Sequence, residues 1–448
     1  DSTWSRNNWC FVFRLVDSHA SFNRVGKLMA RQISDMESRE AIDRKPGMTR
    51  PGRRISRRAL VTGLLLTVLV CSFLLELCSY VYLRVAEGYD GEHLMMHQFD
   101  DYKNIHPTPG YQDTRGVIHN AQGFRRAEDV AMTKPSGTYR IFLMGGSTAY
   151  GLGSLSPQGH QKYPVLKNSE TIDHYLEKFL HRAVPSRRIE VINAAIPSHS
   201  SHHHLIYLNQ TILKYHPDMI VFIDGYNDYY PWEQNYDQFR DYPYRQWSHL
   251  YLDEPSLKAW AGYSGFWLYR KSHFVYLAGK KLRPLWWAIQ NLRPQPRREL
   301  NVDDALKNLE TNAEVNFLRM VERDALILKH EGVVPVFTLQ PDLLFEQRHN
   351  LTEFEQRLSA EVDQAQPINY RQFKNRARPL VTSRLQQVTA ARGASFIDMT
   401  DILGDIKEDA FTDDCHLTPI ANKTVADYIG HRIAPLIAGS EEGKEYRQ

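Results

Sequence analysis

The sequence predicts an α/β protein in which helices cover both faces of a parallel sheet, behind one N-terminal transmembrane helix. Three observations lead to this prediction. Short apolar runs alternate with stretches of helical period after about residue 135, which is typical of a parallel sheet buried between helices. An uncharged apolar run lies near the N-terminus, at 59–75. Polar motifs directly follow several predicted strands, where the reactive groups of such sheets gather.

Length and composition are those of a globular protein. The chain has 448 residues, of which 42% are hydrophobic and 24% are charged. These values exclude collagen-like, low-complexity and wholly disordered chains. The formal net charge of +3 is too balanced for a protein whose main task is to coat nucleic acid, and we expect no nucleic-acid partner. Residues 1–58 contain 13 Lys and Arg against 6 Asp and Glu, and are predicted to form a basic cytoplasmic tail.

Residues 59–83 are the predicted transmembrane anchor. The run Ala59–Leu75 contains 17 residues without a charge, and Glu76 interrupts it near the far end of the span, where the insertion cost of a charge falls. About 20 helical residues cross the ~30 Å hydrocarbon core. A core helix is disfavoured because the run is apolar on all sides. A cleaved signal peptide is disfavoured because the bulky residues Val81–Leu83 offer no small-x-small cleavage site.

The charges that flank the anchor predict its orientation. Five arginines precede it, namely Arg50, Arg53, Arg54, Arg57 and Arg58. The positive-inside bias places this flank in the cytoplasm. We therefore expect a single-pass protein of the cell membrane, with a signal anchor and an extracytoplasmic catalytic domain.

The predicted domain follows a linker at 84–134 and occupies 135–438. Its strands are Tyr139–Met144, Ile189–Ile192, Met219–Ile223, Val333–Leu339 and Ser395–Met399, and its clearest helices are Ser169–Arg182, Asn312–His330 and Pro419–Leu436. Residues 234–299 do not follow this alternation and are crowded with aromatic and basic residues. We interpret them as an insertion that forms a small satellite core, with a sugar- or lipid-contacting surface as the alternative.

A glycine-rich turn follows the first predicted strand. It reads Gly145-Gly146-Ser147-Thr148-Ala149-Tyr150-Gly151. Glycines around a serine at a strand end allow a sharp turn that exposes the hydroxyl. The turn is not a P-loop, a GxGxxG motif or a GxSxG elbow, and by itself it is equally compatible with an ordinary loop.

Three further strand-end motifs supply chemistry that fits a serine nucleophile. They are Asn193–Ser198, Asp224–Asp228 and Asp413–Pro419. A serine hydrolase needs a base for the hydroxyl proton, a carboxylate that orients the base, and donors for the developing oxyanion. Ser147 can attack, His416 can act as the base, and Asp413 can orient its ring. Asn227 and a backbone N–H near Ser198 can complete the oxyanion site.

Together these motifs resemble those of the SGNH (GDSL-like) hydrolase superfamily, whose blocks supply Ser, Gly, Asn and His in this chain order. Asn120–Arg125 is similar to an NxxGFR element that precedes the serine strand in many bacterial members, and the resemblance covers about 120–437. It implies a three-layer αβα sandwich of flavodoxin-like fold. It also implies a catalytic triad of Ser147, Asp413 and His416. The implied oxyanion donors are the N–H of Ser147, the side chain of Asn227 and the N–H of Ser198, which stands where the family has glycine.

Nearby polar residues admit other roles. His199 and His203 have the i,i+4 spacing of metal ligands, but no HExxH pattern accompanies them, so a position at the pocket rim is favoured. Asp414 is the fallback partner of the base. Cys10, Cys71, Cys78 and Cys415 form no CxxC pair, which disfavours a disulfide scaffold or a zinc site.

The functional prediction is a serine ester hydrolase for a small ester or an acetylated carbohydrate. It requires no metal and no organic cofactor. Two alternatives remain open. One is an O-acyltransferase that passes the acyl group to a cell-envelope polysaccharide, and the other is a catalytically silent carbohydrate-binding module.

Overall fold

The computed structural model describes residues 56–87, 96–100, 102–156, 159, 162–229, 264–265, 267–291, 297–345 and 351–439. Most of the predicted tail at 1–58, and residues 234–263, 266 and 292–296 of the predicted insertion, lie outside the described residues. The chain forms two compact units. One contains residues 1–89 and 250–294, and the other contains residues 90–249 and 295–448.

The helices have the following bounds: α1 Arg57–Val85, α2 Ser147–Tyr150, α3 Ile172–Ala183, α4 Ser201–Gln210, α5 Tyr226–Tyr229, α6 His273–Asn291, α7 Val302–Asn312, α8 Arg319–His330, α9 Glu353–Ala365, α10 Tyr370–Ala391 and α11 Pro419–Gly439. The strands are β1 His97–Asp100, β2 Asn104–Pro107, β3 Thr138–Gly145, β4 Arg188–Asn193, β5 Met219–Asp224, β6 Val334–Leu339 and β7 Ser395–Asp398.

The first unit is built on α1 and α6. Helix α1 has 29 residues, which corresponds to a length of about 43 Å at 1.5 Å per residue. It begins at a serine cap, where Ser56 Oγ accepts a hydrogen bond from the N–H of Ala59 at 3.2 Å. Within the described part of the chain, α1 is the one helix that is long and apolar enough to cross a membrane. Its apolar residues are largely exposed, as a lipid-facing helix requires.

The second unit contains a five-stranded, fully parallel sheet in the order β4-β3-β5-β6-β7. Buried side chains cover both of its faces. Phe142 and Met144 of β3 join the core that lies under α4, α8 and α10, whereas Ile141 and Leu143 join the core under α3, α9 and α11. This alternation follows from the two-residue period of a strand. The three-layer α/β prediction is confirmed.

Several local features differ from the sequence-based expectation. The predicted helix at 312–330 is divided, because α7 ends at Asn312 and a π-helical segment, Ala313–Leu318, precedes α8. Helices α4, α9 and α10 were not singled out from the sequence. The predicted linker contains the antiparallel pair β1–β2.

Candidate active site

The candidate site lies at the carboxyl ends of β3 and β5. Strand β4 lies on one side of β3, and β5, β6 and β7 lie on the other, so the winding of the sheet reverses between β3 and β5. Open parallel sheets bind ligands in the crevice outside such a reversal. Ser147 is the second residue after β3, and Asn227 is the third residue after β5.

Two glycines allow these strand ends to approach each other closely. Gly145 has a φ of 153°, and a Cβ at this position would lie 2.4 Å from the backbone oxygen of Ile223. A Cβ on Gly146 would lie 2.5 Å from Nδ2 of Asn227. A side chain at either position would have to displace its neighbour. The glycine pair therefore brings the Ser147 turn against Asn227.

His416 is held by Asp413 through one ring nitrogen. Nδ1 of His416 lies 2.9 Å and 2.8 Å from the two carboxylate oxygens of Asp413. The carboxylate also accepts hydrogen bonds from the backbone N–H groups of Leu155 at 2.7 Å, Cys415 at 3.1 Å and His416 at 2.8 Å. Both side chains are buried, and their orientation is therefore fixed from several directions.

The Asp413–His416 pair shifts the protonation of both groups. Burial acts to raise the pKa of Asp413, but the adjacent His416 and the hydrogen bonds outweigh it, so this pKa lies below its ordinary value. Burial acts to lower the pKa of His416, but the negative charge of Asp413 outweighs it, so this pKa lies above its ordinary value. Because Nδ1 of His416 is hydrogen-bonded to Asp413, Nε2 is the ring nitrogen that can accept a proton.

Side-chain contacts join the serine turn to the histidine loop. The hydroxyl of Thr148, the residue after Ser147, donates a hydrogen bond of 3.0 Å to the backbone oxygen of Cys415. Nε2 of His416 is buried and has no hydrogen-bond partner among the described residues. The half-buried Ser147 therefore lies beside the loop that contains His416. The structure contains no hydrogen bond between the hydroxyl of Ser147 and Nε2 of His416. Hydrogen bonds between catalytic groups often form only when substrate is bound.

Asn227 lies against the loop that follows β4. Its side-chain Nδ2 donates a hydrogen bond of 2.7 Å to the backbone oxygen of His199. The neighbouring Asp228 accepts a hydrogen bond of 2.9 Å from the N–H of Ser201, one of the N–H groups in the first turn of α4 that have no partner within the helix. These two hydrogen bonds join the motif after β5 to the residues that directly follow the motif after β4.

Ser198 adopts a backbone conformation that favours glycine. Its φ is 65°. The N–H of His199 donates to the backbone oxygen of Ile196 at 3.1 Å. Residues 196–199 therefore form a type II turn, in which the second residue is a proline and the third, Ser198, has a positive φ. Serine can therefore occupy the position where the resembled family has glycine, at the energetic cost of a left-handed residue. Among the described residues, the N–H of Ser198 has no backbone acceptor.

Asp414 and Cys415 have other roles than partnering the base. Asp414 accepts a hydrogen bond of 2.5 Å from the hydroxyl of Tyr226. Burial, reinforced by the charge of Asp413, raises the pKa of Asp414 to about 7. Burial likewise raises the pKa of the Cys415 thiol well above its ordinary value, which disfavours a thiolate. Asp413, and not the fallback Asp414, holds His416.

The loop also brings together three side chains of the kinds that bind metals. Asp413, Cys415 and His416 each place one such atom within 4.8 Å of the others. Both oxygens of Asp413 already accept hydrogen bonds from N–H groups. A neutral thiol is a poor ligand for a metal ion. The donor set therefore fits a hydrogen-bonded Asp413–His416 pair better than a metal centre.

The histidines after β4 belong to the interior. His199 and His203 stack with ring centroids 4.5 Å apart, and both are buried. Nε2 of His199 lies 3.0 Å from the backbone oxygen of Lys103. His204 lies 3.2 Å from Asp224, whose charge outweighs the effect of burial and raises the pKa of His204 to about 9. Their buried rings do not line a pocket rim, which was the favoured interpretation of the spacing.

Arg125 has a positioning role that was not assigned from the sequence. Its buried guanidinium donates to the backbone oxygens of Tyr150 at 2.5 Å and Gly151 at 2.8 Å, and also to that of Leu166. These carbonyls belong to the end of the serine turn and to the segment that follows it. The NxxGFR pattern at 120–125 was the signal that could have identified this residue.

The comparisons with known proteins give only distant similarity. No protein-family model matches the sequence, and no curated protein matches it. Similar solved structures include the acetylxylan esterase Axe2 from Geobacillus stearothermophilus, with 13% identity over 66% of this chain and 94% of that chain and a TM-score of 0.33. The acetyl xylan esterase AlAXEase has 10% identity over 66% and 99%, with a TM-score of 0.32. LAE5, an alpha/beta hydrolase enzyme from the metagenome of Lake Arreo, Spain, has 8% identity over 65% and 93%, with a TM-score of 0.32. At these values the likeness carries no argument about activity.

Proposed function

We propose that this chain is a serine ester hydrolase that acts through an acyl-serine intermediate on small esters, including acetylated carbohydrates. The observation that carries the proposal is the state of His416. Asp413 holds one ring nitrogen, while the other is buried without a partner among the described residues and lies on the loop bonded to the serine turn. An imidazole arranged in this way is a general base with an oriented proton-accepting nitrogen.

The reaction follows from these positions. Ser147 Oγ attacks the ester carbonyl carbon while its proton passes to Nε2 of His416. The tetrahedral intermediate then expels the alcohol, which takes the proton from the imidazolium and leaves an acyl-serine. Water then attacks the acyl carbon while its proton passes to Nε2 of His416. The second tetrahedral intermediate expels Ser147 Oγ, which takes the proton back from the imidazolium, and the acid is released. Asp413 stabilises the imidazolium in both halves.

The oxyanion of the tetrahedral intermediate needs donors aimed at one point. We assign this role to the N–H groups of Ser147 and Ser198 and to the side-chain amide of Asn227. The close contact of Gly146 with Asn227 supports the assignment, because it places the amide beside the serine turn. The positive φ of Ser198 also supports it, because a turn of this kind redirects the N–H of its third residue.

Replacement of the nucleophile tests the proposal. We expect Ser147→Ala to abolish hydrolysis of p-nitrophenyl acetate and labelling by a fluorophosphonate probe. Ser186→Ala is the matched control, because Ser186 is an exposed serine at a distance along the chain, and it should retain both activities. Turnover by a folded Ser147→Ala protein at the wild-type rate would rule out the assignment.

The same assay separates hydrolysis from the two alternatives. An acyltransferase would transfer the acetyl group to an added sugar acceptor faster than to water. A silent binding module would leave Ser147 unlabelled while binding the sugar. A silent module is supported by the departure from glycine at Ser198 and by the long insertion at 234–299. The first support is weakened because Ser198 adopts the glycine-like conformation.

We further propose that the second unit faces away from the cytoplasm. The arginines before α1 support this orientation through the positive-inside bias. Protease added to intact cells with a permeable outer barrier should digest the chain beyond residue 89. Full protection of that part, with digestion after lysis, would reverse the orientation.

A further inference from the structure

The apolar helix α1 contains a carboxylate close to the end of its uncharged run. Glu76 comes directly after Leu75, about 25 Å along the helix from Ala59. The insertion cost of a charge falls toward the edge of the hydrocarbon core but does not vanish there, so polar partners still favour an ionised carboxylate. The partners of this residue therefore indicate what lies beside α1 at that depth.

The partners of Glu76 come from the start of α6, almost 200 residues later in the chain. The hydroxyl of Ser272 donates to the carboxylate at 2.7 Å, and the backbone N–H groups of His273 and Phe274 donate at 2.6 Å and 3.2 Å. Nδ1 of His273 lies 2.7 Å from the same carboxylate. Ser272 in turn caps α6, because its Oγ accepts from the N–H of Val275 at 3.1 Å. The carboxylate thus closes the N-terminus of α6, where a negative charge is favoured.

The two helices run side by side in the same direction. Glu76 contacts the first residue of α6, and Glu87, beyond the end of α1, pairs with Lys280 about two turns further along α6. Between these two contacts, the buried residues of α1 are Ser79 and Leu83, which lie four residues apart on the same side of the helix. A small residue such as serine lets two helices approach closely. Helix α6 therefore starts at the depth of Glu76 and leads toward the water beyond α1.

The residues around this contact are apolar and exposed. Trp267 is 52% exposed, Leu268 is 44% exposed and Phe274 is 39% exposed. They adjoin the start of α6, which contacts a helix whose own apolar side chains are largely exposed. Aromatic residues favour the membrane–water boundary, where one part of the ring is apolar and the other is wet. The surface of α1 thus continues onto the start of α6.

We propose that residues 267–281 re-enter the lipid bilayer from the side on which α1 emerges. The protein is then held by two membrane segments, with Glu76 as the contact between them. Trp267, Leu268 and Phe274 contact acyl chains, while Lys280 and Lys281 lie at the level of the headgroups. The partner is the lipid bilayer itself. This inference concerns the anchor alone and does not depend on the proposed esterase activity.

Nitroxide labels test the lipid contact directly. The full-length protein, with Cys10, Cys71 and Cys78 replaced by serine and the buried Cys415 retained, is labelled at Leu268→Cys or Phe274→Cys and placed in phosphatidylcholine–phosphatidylglycerol vesicles. Leu326→Cys on α8 is the matched control, because Leu326 is 48% exposed. We expect the ratio of oxygen to nickel-chelate accessibility to be several-fold higher at 268 and 274 than at 326. Equal ratios at the three positions would overturn the proposal.

Two further measurements keep the test decisive. In a Glu76→Leu background, the label at 274 should become more accessible to the nickel chelate, whereas Glu76→Gln, which keeps an acceptor oxygen, should change it less. An unchanged label in Glu76→Leu would overturn the role of Glu76. Photolabelling of the unaltered protein with a diazirine phospholipid covers the case in which a variant misfolds. Adducts within 267–281 are expected, and adducts confined to α1 would overturn the re-entry.

Discussion

Ser198 occupies a position where glycine is the favoured residue, and we expect Ser198→Gly to stabilise the second unit. The φ of Ser198 is 65°. A left-handed backbone costs a residue with a Cβ about 1–2 kcal/mol, whereas glycine adopts it freely. The serine side chain is exposed and makes no hydrogen bond with the described residues, so its removal sacrifices no contact.

The size of the effect follows from two opposed quantities. Relief of the left-handed strain contributes about 1–2 kcal/mol, and the greater freedom of glycine in the unfolded chain removes about 0.5–1 kcal/mol. The expected gain in the free energy of unfolding is therefore about 0–1.5 kcal/mol, with a central value of about 0.7 kcal/mol. In a unit of this size such a gain raises Tm by about 1–2 °C.

Urea and thermal unfolding of the detergent-solubilised protein, followed by tryptophan fluorescence, measure this change. The urea midpoint should rise at an unchanged m value. Ser186→Gly is the matched control, because Ser186 is also exposed but does not have a positive φ, and it should lower the midpoint. A Ser198→Gly protein that is destabilised as much as the control would refute the left-handed turn and, with it, the direction assigned to this N–H group.

Three further predictions concern the site and its support. Arg125→Met leaves three buried backbone oxygens without their donor. Each unsatisfied oxygen costs about 1–3 kcal/mol, so we expect the free energy of unfolding in urea to fall by about 3 kcal/mol or more. A fall of less than about 1 kcal/mol would contradict the positioning role. Asp413→Asn removes the charge that raises the pKa of His416, so kcat/KM for ester hydrolysis should fall. The acid limb of its pH profile should also move to lower pH, because the base then stays neutral further into the acid range. An acid limb at the wild-type pH would show that this base is not His416. Lys374 and Asp342 form a buried ion pair at 2.8 Å. Lys374→Met alone leaves a buried charge unpaired and should lower the free energy of unfolding, measured thermally, by about 3–5 kcal/mol, whereas Lys374→Met with Asp342→Leu should recover most of this loss. Equal losses in the single and double variants would exclude an unpaired buried charge as the cause.

Local sequence patterns were sufficient to locate the sheet. The strand predicted at Val333–Leu339 is β6 at Val334–Leu339, and the strand predicted at Met219–Ile223 is β5 at Met219–Asp224. A strand that is buried on both faces must be apolar at successive positions, so its composition alone identifies it. The long helix α10 was not predicted, because its apolar positions are interrupted by many basic and polar residues and by Pro379.

In the candidate site, too, contacts between residues close together in the sequence were predictable, whereas contacts between distant segments were not. The pairing of His416 with Asp413 was expected, because Asp413 precedes His416 by only three residues. The bond from Thr148 to Cys415 spans 267 positions, and only the order of the strands brings these loops together. The burial of His199 was likewise invisible in its spacing, because burial depends on the segment at 103–105 that covers it.

The amino-acid sequence by itself determined which groups are available: an apolar run long enough to cross a membrane, five buried strands, a serine and an asparagine just after strands, and a histidine just before the last helix. Tertiary structure decided how these groups are used. It placed Ser198 in a left-handed turn, directed Arg125 to the carbonyls that follow the serine turn, and set Glu76 against the start of α6. The physical reason is range, because periodicity and composition act over a few residues, whereas burial, hydrogen-bond partners and charge pairing depend on segments that lie far apart in the chain.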